Sequence, residues 1–67
     1  MTYLVELYAA PHRLTAAHLV DAPDGVNALE AARADLATCG GDFAEVFQAD
    51  GTGDRMFYAT VSAASAL

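Results

Sequence analysis

Residues 21–41 read DAPDGVNALEAARADLATCGG, and this stretch decides the fold of the chain. Asp21-Ala22-Pro23-Asp24-Gly25 has the composition of a turn, and Asp24 is of the residue type that caps helices, because its carboxylate accepts the first free N–H groups. A helix is therefore predicted to start at Gly25 or Val26. It divides the 67-residue chain into a first and a second half.

The run from Val26 to Cys39 is rich in alanine, which favours helix. Gly40-Gly41 follows and supplies the left-handed conformation that ends many helices. Apolar residues recur at spacings of three and four, which predicts one buried stripe along the helix. The residues of this predicted stripe are Val26, Leu29, Ala32, Leu36 and Cys39.

Three other segments have the composition of strands, and they are Thr2–Ala9, Asp42–Ala49 and Arg55–Ala63. The last two flank DGTGD at residues 50–54, which predicts a hairpin. Alternation places Tyr3, Val5 and Leu7 toward the core and Leu4, Glu6 and Tyr8 on the opposite face. In the final strand it places Phe57, Ala59 and Val61 toward the core and Met56, Tyr58, Thr60 and Ser62 opposite. Phe43 and Phe47 share a face with Glu45, and the register of their strand stays open.

The segment Arg13–Ala22 fits two periods. As a helix it would begin with Pro11 in its first turn and gather Leu14, Ala17 and His18 on one side. As a strand it would follow a turn at residues 9–12 and turn Leu14, Ala16, His18 and Val20 inward. The strand is the preferred interpretation because the first strand needs a neighbour, and a hairpin is the nearest source.

Together these elements predict a single α+β domain over residues 1–67, with the order β-β-α-β-β. The four strands form one antiparallel sheet, and the helix packs on one of its faces. Nothing in the chain is left to cover the other face, which must either contact water or form an interface. The residues predicted there are Leu4, Glu6, Tyr8, Met56, Tyr58 and Thr60, and the candidate interface among them is Glu6, Tyr8, Met56 and Tyr58.

Composition excludes several functions. Nine acids against three arginines, without any lysine, give a net charge of −6, which disfavours direct binding to nucleic acid or an anionic membrane and favours a basic partner. One cysteine and two histidines cannot form a disulfide or a closed Cys/His zinc site. Cys39 is expected to be a small buried residue. No catalytic cluster, metal site or cofactor motif is found, so a non-enzymatic protein is expected. Neither a signal peptide nor a membrane span is expected, and a cytoplasmic location is predicted.

Six of the acids fall in three pairs at turns and strand starts, and two pairs that met would form a dense negative row able to occupy a basic groove. These predicted partner-binding residues are Asp21, Asp24, Asp42, Glu45, Asp50 and Asp54.

In size, acidity and element order the chain resembles the small phage-encoded anti-CRISPR proteins. The resemblance implies an inhibitor that mimics DNA and blocks the basic nucleic-acid-binding site of a CRISPR effector subunit in a bacterial cytoplasm, with the six acids at that site. The alternative is an antitoxin-like or regulatory subunit that binds a protein, or itself, through the uncovered sheet face. A monomer or weak homodimer is expected.

Overall fold

A computed structural model describes residues 1–49 and 53–63 of the chain. It confirms the α+β fold and the order β-β-α-β-β. Residues 13–21 form a strand, so the helical alternative for this segment is wrong. The elements are β1 (Thr2–Ala9), β2 (Arg13–Asp21), α1 (Gly25–Cys39), β3 (Phe43–Ala49) and β4 (Arg55–Ser62).

The strands form one sheet in the order β2-β1-β3-β4, and every neighbouring pair is antiparallel. β2 and β3 are both antiparallel to β1 and hence run parallel to each other. A connection between parallel strands has to cross a face of the sheet, and α1 makes this crossover. The helix therefore covers one face, and β2 and β4 are the two edges.

The ends of α1 follow the predicted chemistry. Asp24 precedes the helix with extended backbone, and its Oδ1 accepts a hydrogen bond from the Asn27 backbone N–H at 2.9 Å. This hydrogen bond is the main reason why the pKa of Asp24 lies below its usual value. At the other end Gly40 has a φ of 80° and its N–H bonds to the carbonyl of Leu36. Both signals were readable in the sequence.

The core lies between α1 and the sheet. Tyr3, Val5 and Leu7 are buried as predicted. The buried helix stripe differs from the prediction, because it runs through Ala28, Ala32 and Leu36, with Leu29 partly buried beside them. Alanines at this contact let the helix backbone approach the sheet closely, and the stripe follows that contact rather than the larger side chains. Val26 is consequently 65% exposed and Cys39 is exposed, so both were wrongly placed in the core.

A β-bulge changes the face of one residue in β2. Leu7 pairs with Ala16 and Tyr8 pairs with Leu14, so Thr15 is an extra residue on the edge strand. Its hydroxyl donates a hydrogen bond to the Leu7 carbonyl at 3.2 Å. Ala16 and Val20 pack against the core as predicted, but Leu14 is turned to the uncovered face and is 52% exposed.

A second bulge changes β4. Val46 pairs with Ala59 and Phe47 pairs with Phe57, which leaves Tyr58 as the extra residue. Phe57 therefore packs on Phe47 on the uncovered face, with ring centroids 5.7 Å apart.

The Tyr58 ring lies on the helix side, 6.1 Å from the ring of the buried Tyr3 and directly against Gly25. Met56 pairs with Gln48, which itself pairs with Tyr3, so the register places it on the helix side as well. The predicted faces of Met56, Phe57 and Tyr58 were thus reversed by the bulge, whereas Val61 is buried as expected.

Candidate protein interface

The sheet face opposite α1 is the largest feature that the fold leaves without cover, and we call it the open face. Its pattern follows from the registers: Leu4 lies between Leu19 and Phe47, and Tyr8 lies between Leu14 and Phe43. The middle row contains Glu6 beside Glu45. The open face consists of Leu4, Glu6, Tyr8, Leu14, Ala17, Leu19, Phe43, Glu45, Phe47, Arg55, Phe57 and Thr60.

Large apolar side chains of the open face extend into solvent. Leu19 is 67% exposed, Phe57 is 55% exposed and Leu14 is 52% exposed. They belong to the two edge strands, and half-buried side chains on β1 and β3 connect them across the sheet. Several large apolar side chains exposed on one face of a small protein are typical of a binding site.

Aromatic rings form two groups on this face. At one end Tyr8 stacks on Phe43 with centroids 5.1 Å apart and planes inclined by 10°, and the His12 imidazole lies 5.0 Å from the Tyr8 ring. Toward the other end Phe47 and Phe57 meet edge to face. Because the rings hold each other in place, the face is ordered before any partner arrives, which lowers the entropic cost of binding.

Glu6 is the centre of a polar contact between these aromatic groups. Its side chain is only 12% exposed. One carboxylate oxygen accepts a hydrogen bond from the Tyr8 hydroxyl at 2.8 Å, and the other accepts from Arg55 Nη1 at 2.8 Å. The Arg55 guanidinium also lies over the Phe47 ring, 4.6 Å from its centroid.

The hydrogen bond to Glu6 raises the pKa of Tyr8, and the charges of Glu6 and Glu45 add to this effect, against a smaller opposing contribution from Arg55. A tyrosine hydroxyl is protonated at neutral pH even without this shift, so Tyr8 can donate to Glu6 there.

Glu45 stands next to Glu6 in the sheet but differs from it in its contacts. It pairs with Glu6 on β1 and with Thr60 on β4, and its side chain is half-buried. Within residues 1–49 and 53–63, no hydrogen-bond donor or cation contacts its carboxylate. The open face therefore contains two adjacent carboxylates and one cation.

The other predicted acids lie around the rim of the sheet. Asp21 ends β2, with its side chain 88% exposed and an oxygen 3.8 Å from the N-terminal amine. Asp24 caps the helix. Asp42 accepts a hydrogen bond from the backbone N–H of Ala10 and so links the β1–β2 turn to the start of β3.

Asp54 is exposed before β4, and Asp50 lies outside the described residues. Asp21 and Asp54 are at the same end of the sheet, but at opposite edges, three strand spacings or about 14 Å apart. Asp42 lies at the other end, beyond the seven residues of β3, or about 20 Å away. Asp21, Asp24 and Asp54 therefore lie at one end of the molecule and Asp42 at the other, and of the predicted acids that the structure describes only Glu45 lies on the open face.

The alternative interface predicted from the sequence is present in part. Glu6 and Tyr8 lie on the open face, whereas Met56 and Tyr58 do not, for the reason given above. Sequence reasoning missed Phe57, Leu19 and Arg55. The sequence shows that Phe43 and Phe47 share the parity of Glu45, but the face they occupy depends on the pairing of Glu45 with Glu6, which the sequence does not give.

Other kinds of site have less support. In the described part of the chain, no three His, Cys, Asp or Glu side chains are grouped so that they could hold a metal ion. His18 instead contacts Asp35 and links β2 to α1. No helix among these residues has both the length and the apolar composition needed to cross a bilayer. Comparisons with protein-family models, curated proteins and solved structures found no match.

Proposed function

We propose that this protein is a non-enzymatic binding module whose recognition surface is the open face and whose partner is another protein. The observation that carries the proposal is the group of exposed apolar side chains on the face opposite α1, with Leu14, Leu19 and Phe57 each more than half exposed. Burying a large apolar side chain contributes about 1.5–3 kcal/mol, and most of that gain is still available to these three residues.

The composition of the open face supports a protein partner. Aromatic residues and an arginine are enriched at protein interfaces, and the residues that dominate binding energy are of these types. Here Tyr8, Phe43, Phe47, Phe57 and Arg55 are combined on one flat surface. The charge of −6 favours a basic partner over an acidic one.

A pair of variants tests the proposal. A photo-crosslinking amino acid at position 19 should capture the partner in host cells, and the captured protein should then be purified for affinity measurements. Phe57→Ser should weaken its binding at least tenfold, because it removes a large exposed aromatic contact from the open face. Val26→Ser is the matched control, because Val26 is equally apolar and 65% exposed but lies on the helix. Equal affinities for the two variants would refute the open face as the binding surface.

The DNA-mimic function is the second candidate, and the net charge of −6 favours it. In this proposal the protein acts in a bacterial cytoplasm as an anti-CRISPR-type inhibitor, and Asp21, Asp24, Asp42, Glu45, Asp50 and Asp54 face a basic groove. We place it second because the described acids among them are distributed over opposite ends and edges of the sheet. Its partner should be displaced by duplex DNA, and its affinity should fall steeply between about 50 and 200 mM salt. Binding that survives both conditions would eliminate it.

A further inference from the structure

The open face already contains one example of how it binds a guanidinium group. Arg55 extends from the edge strand β4, lies 4.6 Å above the centroid of Phe47, and donates to Glu6 at 2.8 Å. The guanidinium of Arg55 thus contacts an aromatic ring and a carboxylate at the same time. This combination suits arginine better than lysine, since the planar guanidinium can stack on an aromatic ring while it donates several hydrogen bonds to a carboxylate.

The other half of the open face offers the same two components without the cation. Glu45 supplies the carboxylate. Phe43, two residues away on the same face of β3, supplies an aromatic ring, and the Tyr8 ring is stacked on it with centroids 5.1 Å apart. The nearby His12 imidazole lies against these two rings. Among the described residues no ion pair joins Glu45 to a cation, and the Arg55 guanidinium donates to Glu6 instead.

Fold stability does not account for a glutamate at this position. Glu45 is directly opposite Glu6 in the sheet, and like charges in that arrangement are destabilising. Glutamine would have nearly the same shape and would remove the repulsion. A residue that costs stability and has no structural partner is expected where binding requires it.

We propose that Glu45, together with the Phe43–Tyr8 pair, is the docking position for an arginine side chain of the partner protein, with apolar partner residues on either side of it. This inference rests on the proposed function of the open face and specifies the chemistry of the partner. The arginine replaces the missing cation and neutralises Glu45 when the surface is removed from water, where an unpaired charge would be costly.

Charge also distinguishes this partner from a second copy of the chain. Two open faces packed together would bring four carboxylates, from Glu6 and Glu45 of each copy, against two Arg55 guanidinium groups. Two negative charges would then be buried without cations, between molecules that each carry −6. A segment with an arginine between apolar residues fits the surface without this penalty.

The arginine position can be tested without the partner. The probe is N-acetyl-arginine methylamide, titrated into isotope-labelled protein and followed by NMR, with the citrulline analogue as an uncharged probe of the same shape. The Glu45 carboxyl carbon and the ring signals of Phe43 and Tyr8 should shift and saturate with the arginine probe. They should shift at least tenfold less with citrulline. Glu45→Gln should abolish the ring shifts, and Asp21→Asn, which neutralises an acid that is 88% exposed at the rim, should leave them unchanged.

Three results would overturn the assignment. Equal shifts at Asp21 and Glu45 would indicate general charge screening, and equal effects of the two probes would exclude a role for the cation. In a binding measurement with the purified partner, Glu45→Gln should lower the affinity at least tenfold. An unchanged affinity would be the third result that overturns the assignment.

The two proposals fail in different ways. If Phe57→Ser weakens the partner but the arginine probe does not bind at Glu45, the open face remains the binding surface and only the arginine assignment falls. If the partner binds Phe57→Ser as well as the native protein, the open face is not its binding surface, and the arginine assignment falls with it.

Discussion

The contact between Arg55 and Glu6 gives a quantitative prediction for the substitution Arg55→Gln. Glu6 is the only charged side chain among the described residues that is buried, and Arg55 is its only cation. Removing the guanidinium leaves Glu6 facing Glu45 without compensation, although the Tyr8 hydroxyl still donates to it. The substitution should therefore destabilise the fold.

The magnitude follows from the exposure of the two partners. A hydrogen bond to a charged group contributes about 1.5–3 kcal/mol. The Arg55 side chain is 50% exposed, so solvent screening reduces this contribution, and we expect about 1–2 kcal/mol. In a domain of this size each kcal/mol corresponds to a shift in the melting temperature of about 4–8 °C.

Denaturation of the native protein, Arg55→Gln, Glu6→Gln and the double variant would give the coupling free energy of the pair. Arg33→Gln is the control, because Arg33 pairs with Glu30 at 3.5 Å with side chains 48% and 67% exposed, and its loss should cost no more than about 0.5 kcal/mol. If Arg55→Gln has as small an effect as Arg33→Gln, Glu6 does not depend on Arg55 and the account of the open face is wrong.

Five further measurements test other parts of the structure. Leu36→Ala should cost about 2–5 kcal/mol in chemical denaturation, because it leaves a cavity under the helix, and an unchanged midpoint would show that the helix packs differently. Asp24→Ala should lower the melting temperature at neutral pH. Because the folded pKa of Asp24 is lowered, that difference should shrink as the pH falls below about 4, and a pH-independent difference would exclude the cap carboxylate as its cause. In a spectrophotometric titration the Tyr8 hydroxyl should ionise at lower pH in Glu6→Gln than in the native protein, and no change would contradict its hydrogen bond to Glu6. Glu45→Gln should raise the melting temperature by relieving the charge repulsion, and light scattering of the native protein should give a monomer or weak dimer rather than a larger ring.

Much of the fold was predictable because local signals marked the ends of the helix and the buried face of the first strand. The carboxylate at Asp24 and the glycine at position 40 set the ends of α1, and the alternation in β1 identified its buried face correctly. Each of these signals acts over a few residues and needs no knowledge of the tertiary structure.

The open face was predictable only in part, since its composition depends on pairing between distant strands. Alternation alone places Tyr58 opposite Phe57, with Phe57 in the core. The bulge at Tyr58 reverses both, and its position is set by the register with Val46 and Phe47 rather than by any local sequence. Leu14 was misplaced for the same reason. The buried stripe of α1 was predicted wrongly in part, because alanines face the core in place of some of the larger apolar side chains. Their small size lets the helix pack close to the sheet.

The two bulges also have a consequence for how copies of this chain behave in concentrated solution. Both lie on outer strands, at Thr15 in β2 and at Tyr58 in β4. A flat outer strand is a template on which a second molecule can add its own strand, and repeated addition leads to fibrils. Each extra residue interrupts the regular spacing of N–H and C=O groups and twists the strand away from such growth. The exposed apolar side chains of the open face can therefore stay uncovered while the edge strands resist open-ended polymerisation.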